Sequence, residues 1–213
     1  MKKGIIFDVD GTLWDSSVQV AQSWQVAAEK LLNGPRPITP DIISRNMGKN
    51  MKDFGDALFP DLPPAKRLEV MEACMEYENQ YLEDHPGILY PQVAEVLQQL
   101  SWKYKLFIVS NCQKGYIEVL MRSCNLEEYI TDIECYGNTG LSKADNISMV
   151  IQRNHLDQSF YVGDTAMDAE AAAGAGIPFV HAAYGFGQVN GAEAVIREFG
   201  ELLQLSKKLL GED

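Results

Sequence analysis

The chain has 213 residues and a mass of 23.7 kDa, enough for one large domain or for a domain carrying an insert. Hydrophobic residues make up 46% and charged residues 23%, a balance that excludes disorder as the main state and allows a sizeable core. The 30 acidic against 18 basic side chains leave a formal charge of -12, which argues against nucleic acid as a partner, because phosphate neutralisation supplies most of the affinity for a duplex.

Gly4-Ile5-Ile6-Phe7 is a short apolar run ending at Asp8, the pattern of a buried strand. It meets that acid too soon after Lys2-Lys3 to resemble a signal peptide. Asp10-Gly11-Thr12 reads as a turn. Residues 16–32 follow with Val20, Trp24, Ala27, Ala28 and Leu31 at helical spacing, and Asn33-Gly34-Pro35 ends that helix. From Ile38 to Asp84 only helix-like segments occur, over residues 40–47, 51–58 and 64–81, and His85-Pro86-Gly87 then breaks the chain.

A different rhythm begins there. The pattern predicts helix over 91–100, strand over 104–109, helix over 115–124 and strand over 130–135. It continues with helix over 143–154, strand over 160–162, helix over 166–173, strand over 177–180 and a helical C-terminus from about residue 192. Strands alternating with helices imply parallel pairing through crossovers, hence an α/β fold with a doubly wound, Rossmann-like parallel sheet. The helical block interrupts this alternation after the first strand. The expected division is an α/β core of residues 1–15 and 86–213 with an inserted all-α domain of residues 16–85.

Cys74, Cys112, Cys124 and Cys135 form no CxxC pair and no zinc-type spacing, as expected of reduced thiols in a cytoplasmic chain. The uncharged stretch 171–192 contains Pro178, Gln188, Asn190 and several glycines, which makes it a poor membrane span. The expectation is a cytoplasmic protein with neither membrane nor nucleic acid as partner.

In an open parallel sheet the site lies beyond the carboxyl ends of the strands. The polar residues predicted there are Asp8 and Asp10, then Ser110 and Asn111, then Gly163, Asp164 and Asp168. Two carboxylates one residue apart repel unless a divalent cation lies between them or one holds a proton. Phosphoryl transfer uses both arrangements, with one acid as nucleophile and the other as general acid and base. Taken alone, Asp8 and Asp10 could equally be turn-forming or capping acids.

Asp164 and Asp168 stand one helical turn apart, although Asp164 could also be a capping residue. Magnesium, which prefers oxygen ligands, suits this set. Asp8, the Asp10 carbonyl and Asp164 would be its ligands, with Asp168 holding a metal-bound water. Ser110-Asn111 offers a hydroxyl and amide donors to phosphate, and Lys143 at a helix start places its ammonium where an anion is favoured. Separately these two are no more than a common turn and a surface lysine.

Taken in order, Phe7-Asp8-Val9-Asp10-Gly11-Thr12-Leu13 with Asp15-Ser16, Val109-Ser110-Asn111, Lys143, and Gly163-Asp164-Thr165 with Asp168 resemble the haloacid-dehalogenase-like (HAD) hydrolase superfamily over residues 1 to about 187. The helical insert, His85-Pro86-Gly87-Ile88 and Tyr184-Gly185 are similar to its phosphoglycolate phosphatase-like branch, in which such an insert forms a cap. The resemblance implies a Mg²⁺-dependent phosphatase acting on a small phosphorylated metabolite through an aspartyl-phosphate. Asp8 would be the nucleophile and Asp10 the general acid and base. Ser110, Asn111 and Lys143 would hold the phosphoryl group, with Lys143 also neutralising Asp8. Asp8, Asp10 and Asp164 would bind the metal, supported by Asp168.

One departure is that Lys143 is followed by Ala144-Asp145-Asn146, where the branch usually has proline, and Lys114 is the fallback. A sugar-phosphate mutase would share every core residue. Haloacid dehalogenation would leave Asp10, Asp164 and Asp168 unexplained, and a non-catalytic binding module would be expected to have lost a motif carboxylate, which this chain has not. In the basic turn Arg45-Asn46-Met47-Gly48-Lys49, either Arg45 or Lys49 contacts a polar or anionic part of the substrate, or the turn is a solvated helix end. Trp14 and Trp24 either line the pocket or pack within the helical block.

Overall fold

A computed structural model describes residues 1–211 of the chain. In chain order the elements begin with β1 (Lys3–Phe7) and β2 (Trp14–Asp15), then the helices α1 (Ser17–Leu32), α2 (Pro40–Ser44), α3 (Met51–Leu58) and α4 (Pro64–Asp84). After these come β3 (Ile88–Leu89), α5 (Val93–Ser101), β4 (Lys105–Ser110), α6 (Tyr116–Ser123) and β5 (Ile130–Cys135). The remainder is α7 (Tyr136–Thr139), α8 (Lys143–Asn154), β6 (Gln158–Gly163), α9 (Ala166–Gly174), β7 (Phe179–Ala182), β8 (Ala194–Ile196) and α10 (Leu202–Leu210).

Six strands form one sheet in the order β5-β4-β1-β6-β7-β8, and every neighbouring pair is parallel. From Gly4 to Phe7 the central strand β1 is apolar because helices cover both faces. Ile5 and Phe7 join one cluster with Val96 and Leu97 of α5, Ile117 and Leu120 of α6 and Leu202 of α10. Ile6 turns to the other face and packs with Ile147 and Val150 of α8 and Ala171 and Ala172 of α9, as the two-residue period of a strand requires.

Helices α1–α4 pack around a cluster of their own that includes Val20, Trp24, Ile43, Phe54, Phe59, Met71 and Cys74. The chain enters and leaves them through a two-stranded antiparallel ribbon, in which Trp14 faces Leu89 and Asp15 faces Ile88. The residues before and after this helical unit are thus hydrogen-bonded to each other.

The structure corrects the sequence reading at its C-terminal end. Ala194–Ile196, expected to be helical, is the edge strand β8, with Val180 opposite Ala194 and Ala182 opposite Ile196. Three residues give too short a run for periodicity to separate strand from helix, and what decides is the open edge of β7. A 3₁₀ turn (Phe199–Glu201) then leads into α10. Strand β7 begins after Pro178 rather than at Ile177, since proline has no N–H to give the ladder. The last two residues assigned to the core, Glu212 and Asp213, lie outside the described residues. All four cysteines are free thiols. Among the described residues no helix is long and apolar enough to cross a membrane.

Candidate active site

Strands β4, β1 and β6 are adjacent, so residues far apart in sequence meet at their carboxyl ends. Asp8 leaves β1 with its N–H donating to the Val162 carbonyl of β6 at 2.9 Å. Ser110 closes β4, and Asp164 follows β6. Asp8, Asp164 and Asp168 are each no more than 1% exposed, and one carboxylate oxygen from each lies within 4.8 Å of the others.

Lys143 is the cation of this group. It is the first residue of α8, whose N-cap Ser142 accepts from the Asp145 N–H. This cap starts the helix without the proline that the sequence lacks. The Lys143 ammonium lies 2.6 Å from Asp168 Oδ1 and 3.0 Å from Asp8 Oδ1, and the residue is 4% exposed. Burial on its own would push this ammonium down, but the charges of Asp168 and Asp8 outweigh it and hold Lys143 above the ordinary lysine range. Lys114 is exposed and meets the helical unit through its carbonyl, which accepts from Asn79 Nδ2.

Asp168 is fixed at both oxygens. Oδ1 takes Lys143, while Oδ2 accepts from the Asp164 N–H, the Thr165 N–H and the Thr165 hydroxyl. Thr165 and Asp168 form a reciprocal capping box at the start of α9. Asp164 lies just outside that helix and receives the Phe186 N–H at Oδ2, 2.8 Å away. Two glycines make room for it. Gly11 has φ +79°, and a Cβ there would lie 2.2 Å from Asp164 Oδ2; a Cβ on Gly185 would lie 2.4 Å from the Asp164 Cβ. These contacts explain why Gly11 and Gly185 carry no side chain.

Burial and the neighbouring Asp168 charge push Asp8 up to about 7 against the opposing pull of Lys143. Asp164 is pushed to about 8 by burial and by the charges of Asp168 and Asp8. Three carboxyls thus face one ammonium. Asp164 Oδ1 is buried without a hydrogen-bond partner, and Asp8 Oδ1 has Lys143 nearby but no aligned donor. A buried set of oxygen donors, short of positive charge and with lone pairs unused, fits a hard divalent cation.

The Asp10 carboxyl does not join this trio. Its Oδ1 accepts from Trp14 Nε1 at 2.9 Å, the Ser16 hydroxyl at 2.8 Å and the Tyr116 hydroxyl at 2.7 Å. Burial raises its pKa while these three donors pull it back. Asp10 and Ser110 line a cavity of about 30 Å³ beneath the helical unit, together with Trp24, Lys49, Glu78 and Gln113. The Asn111 amide reaches across to donate to the Gly48 carbonyl at 2.8 Å. Arg45 is paired with Asp41 and its side chain is 75% exposed; it is not on the cavity wall. Lys49 is, with its ammonium donating to Asn46 Oδ1 at 2.8 Å.

Two polar residues of the site, Tyr116 and Glu78, carry no sequence signal as site residues. Tyr116 opens an ordinary amphipathic helix, and Glu78 is one of several acids along α4. Thr165 falls within the stretch Gly163-Asp164-Thr165 already singled out, and its Thr-x-x-Asp spacing is that of a helix start.

Known proteins resemble this chain over most of its length. A sequence model of the haloacid dehalogenase-like hydrolase family matches residues 5–182. The phosphoglycolate phosphatase of Aquifex aeolicus strain VF5 is 27% identical over 195 residues, covering 87% of each chain. That of Escherichia coli strain K12 is 24% identical over 234 aligned positions, covering 96% of this chain and 86% of the relative. A solved haloacid dehalogenase-like hydrolase from Streptococcus pneumoniae superimposes with a TM-score of 0.82 at 23% identity, covering 96% of this chain and 98% of that one.

Proposed function

The chain belongs to the haloacid dehalogenase-like hydrolases, and from that premise we propose that it is a magnesium-dependent phosphatase that hydrolyses a small phosphomonoester through an aspartyl-phosphate on Asp8. The observation that carries the reading is the buried trio Asp8, Asp164 and Asp168 with Lys143 between two of its members. A structural ion pair needs one carboxylate for one ammonium. Three are worth burying only where a further cation completes the balance.

In this reading an Asp8 carboxylate oxygen attacks phosphorus while the bond from phosphorus to the ester oxygen breaks. Asp10 gives its proton to the departing oxygen. Water then attacks the phosphorus of the aspartyl-phosphate, Asp10 takes the water's proton, and Asp8 is released as carboxylate with inorganic phosphate. Lys143 neutralises Asp8 and the phosphoryl oxygens, and Ser110 donates to one of those oxygens. Asp8 and Asp164, with the Asp10 carbonyl, would hold Mg²⁺, which when bound would withdraw charge from the transferring group. Asp168 sets the Lys143 ammonium in place, a role that its two-sided bonding favours over the water-holding role expected from the sequence. The helical unit α1–α4 acts as a cap that excludes bulk water.

The test is phosphate release from a panel of phosphorylated metabolites with Mg²⁺ and with excess chelator. Turnover is expected only with Mg²⁺, and Asp8→Asn is expected to lose at least about a thousandfold in rate while keeping its fold, since the nucleophile is gone. Full turnover in chelator, or an active Asp8→Asn protein, would refute the mechanism. Sustained isomer interconversion without phosphate release would favour a mutase.

A further inference from the structure

The chemistry above leaves one buried acid of the cavity unused. Glu78 lies on α4 and is 3% exposed. Its hydrogen-bond partners are Trp24 and Gln113, not a cation. It shares the cavity wall with Asp10 and Ser110, so it faces whatever extends beyond the ester oxygen once a phosphoryl group sits between Asp8 and Ser110. Resting on the phosphatase reading, we infer that Glu78 selects the substrate by accepting a hydrogen bond from a hydroxyl of the leaving group, which makes that substrate the phosphate ester of a small polyol or sugar rather than of a hydroxy acid.

Three observations lead there. First, packing gives no reason for a carboxyl at this position. Val20, Trp24 and Phe54 around the cavity are apolar, a glutamine would satisfy the Trp24 indole equally well, and a buried carboxyl without a cation is costly. Second, the chemistry is matched to a hydroxyl. Protonated or ionised, a carboxyl keeps a lone pair for an O–H donor, whereas a carboxylate on the substrate has no O–H to give and meets a repelling charge whenever Glu78 or Asp10 is ionised. The cation on the wall, Lys49, is already bonded to Asn46.

Third, the space is small. A volume of about 30 Å³ holds about two waters, so every leaving group enters with some movement of the cap, a short one with the least and a nucleoside with far more. A site that hydrogen-bonds a substrate hydroxyl discriminates strongly, because an analogue lacking it leaves a buried polar group unpaired.

The experiment compares kcat/KM of the full chain with Mg²⁺ on glycerol 1-phosphate, 2-phosphoglycolate and 4-nitrophenyl phosphate. Wild type is expected to favour glycerol 1-phosphate over 2-phosphoglycolate by about tenfold or more. Glu78→Met is expected to raise KM for glycerol 1-phosphate about tenfold, with a smaller change in kcat, and to bring the two substrates within about threefold of each other. Glu78→Gln, which keeps an acceptor, retains the preference. A wild-type preference for 2-phosphoglycolate, above all one lost in Lys49→Ala, would overturn the assignment, as would a ratio unmoved in Glu78→Met. If only 4-nitrophenyl phosphate is turned over, the hydroxyl assignment falls and the hydrolase reading stands. If none of the three is, the hydroxyl assignment falls, and the metabolite panel with Mg²⁺ decides the phosphatase reading separately.

Discussion

Glu78 also offers a prediction independent of any substrate. Burial pushes its carboxyl from an ordinary 4.5 up to about 8, against the hydrogen bonds from Trp24 and Gln113. A carboxyl raised in the folded state binds more protons folded than unfolded between those two values. Its contribution to stability is therefore complete below about pH 4.5 and is lost as the pH rises through about 8. Replacing it by glutamine keeps an acceptor for Trp24 and removes the titration.

At about 1.4 kcal/mol per pKa unit, the interval between 4.5 and about 8 corresponds to a change on the order of 5 kcal/mol, an upper value because buried sites relax and admit water. The measurable expectation is that Glu78→Gln and wild type have similar stability at pH 5, and that the variant becomes more stable by about 2–4 kcal/mol at pH 8.5. Urea unfolding of both proteins across this range, in chelator, supplies the comparison. Protonation changes at Asp8 and Asp164 occur in both proteins and largely cancel in the difference. A difference that stays flat with pH, or that turns against the variant at high pH, would show that Glu78 is ionised and paired in the folded state, and the burial argument would be refuted.

Lys143→Met should destabilise the protein by about 3–5 kcal/mol in chelator at pH 8, because Asp8 and Asp168 lose their buried counter-charge, and calorimetry reads this as a lowered Tm. Thr165→Val removes the cap of α9 and one of the donors holding Asp168; about 1–2 kcal/mol of stability should go with it, together with a fall in kcat larger than any change in KM. Tyr116→Phe takes away one of three donors on Asp10 Oδ1. On the proposed mechanism its rate loss should be several-fold larger for alkyl phosphates than for 4-nitrophenyl phosphate, whose leaving group needs little protonation, and equal losses on both would argue against Asp10 as the acid.

What the sequence displayed and what it hid follow from the range of the forces involved. The strand before Asp8 was legible because both faces of β1 are covered and its residues from Gly4 to Phe7 are apolar. The placing of Asp8, Ser110 and Asp164 at one edge followed from the rule that parallel strands present their carboxyl ends together. The pairing of Asp168 with Lys143 was not legible, since a spacing of four residues says only that two acids share a helix face, and Asp164 proves to lie outside the helix.

Glu78 was hidden for a similar reason. On α4 it is surrounded in sequence by Glu69, Glu72, Glu76 and Glu83, the pattern of a solvated face, and its burial comes with contacts from elsewhere in the chain, among them the Trp24 indole of α1. The short ribbon of β2 and β3 and the edge strand β8 were missed because two or three residues have no period to read. In each case the missing information was a contact made from a distant part of the chain.

The charge arrangement gives the site its direction. The Asp10 carboxyl is held by Trp14 from the ribbon, Ser16 at the entrance to α1 and Tyr116 from α6, so the general acid of the proposed mechanism is tied to the hinge through which the helical unit joins the sheet. Asn111, next to the proposed phosphate-binding Ser110, is bonded to Gly48 in that same unit. Any movement of α1–α4 away from the sheet must disturb one or both of these attachments. With the unit seated, the proton donor and the phosphate-binding loop are positioned and the cavity has room for little water. On the proposed mechanism, displacing it would admit water while weakening the hold on Asp10, so deprotonation of that water would wait until the unit is seated again. Proton control and water access would then both depend on how the unit sits on this ribbon, and its supporting residues, rather than the carboxylates alone, are where leaving-group dependence should appear.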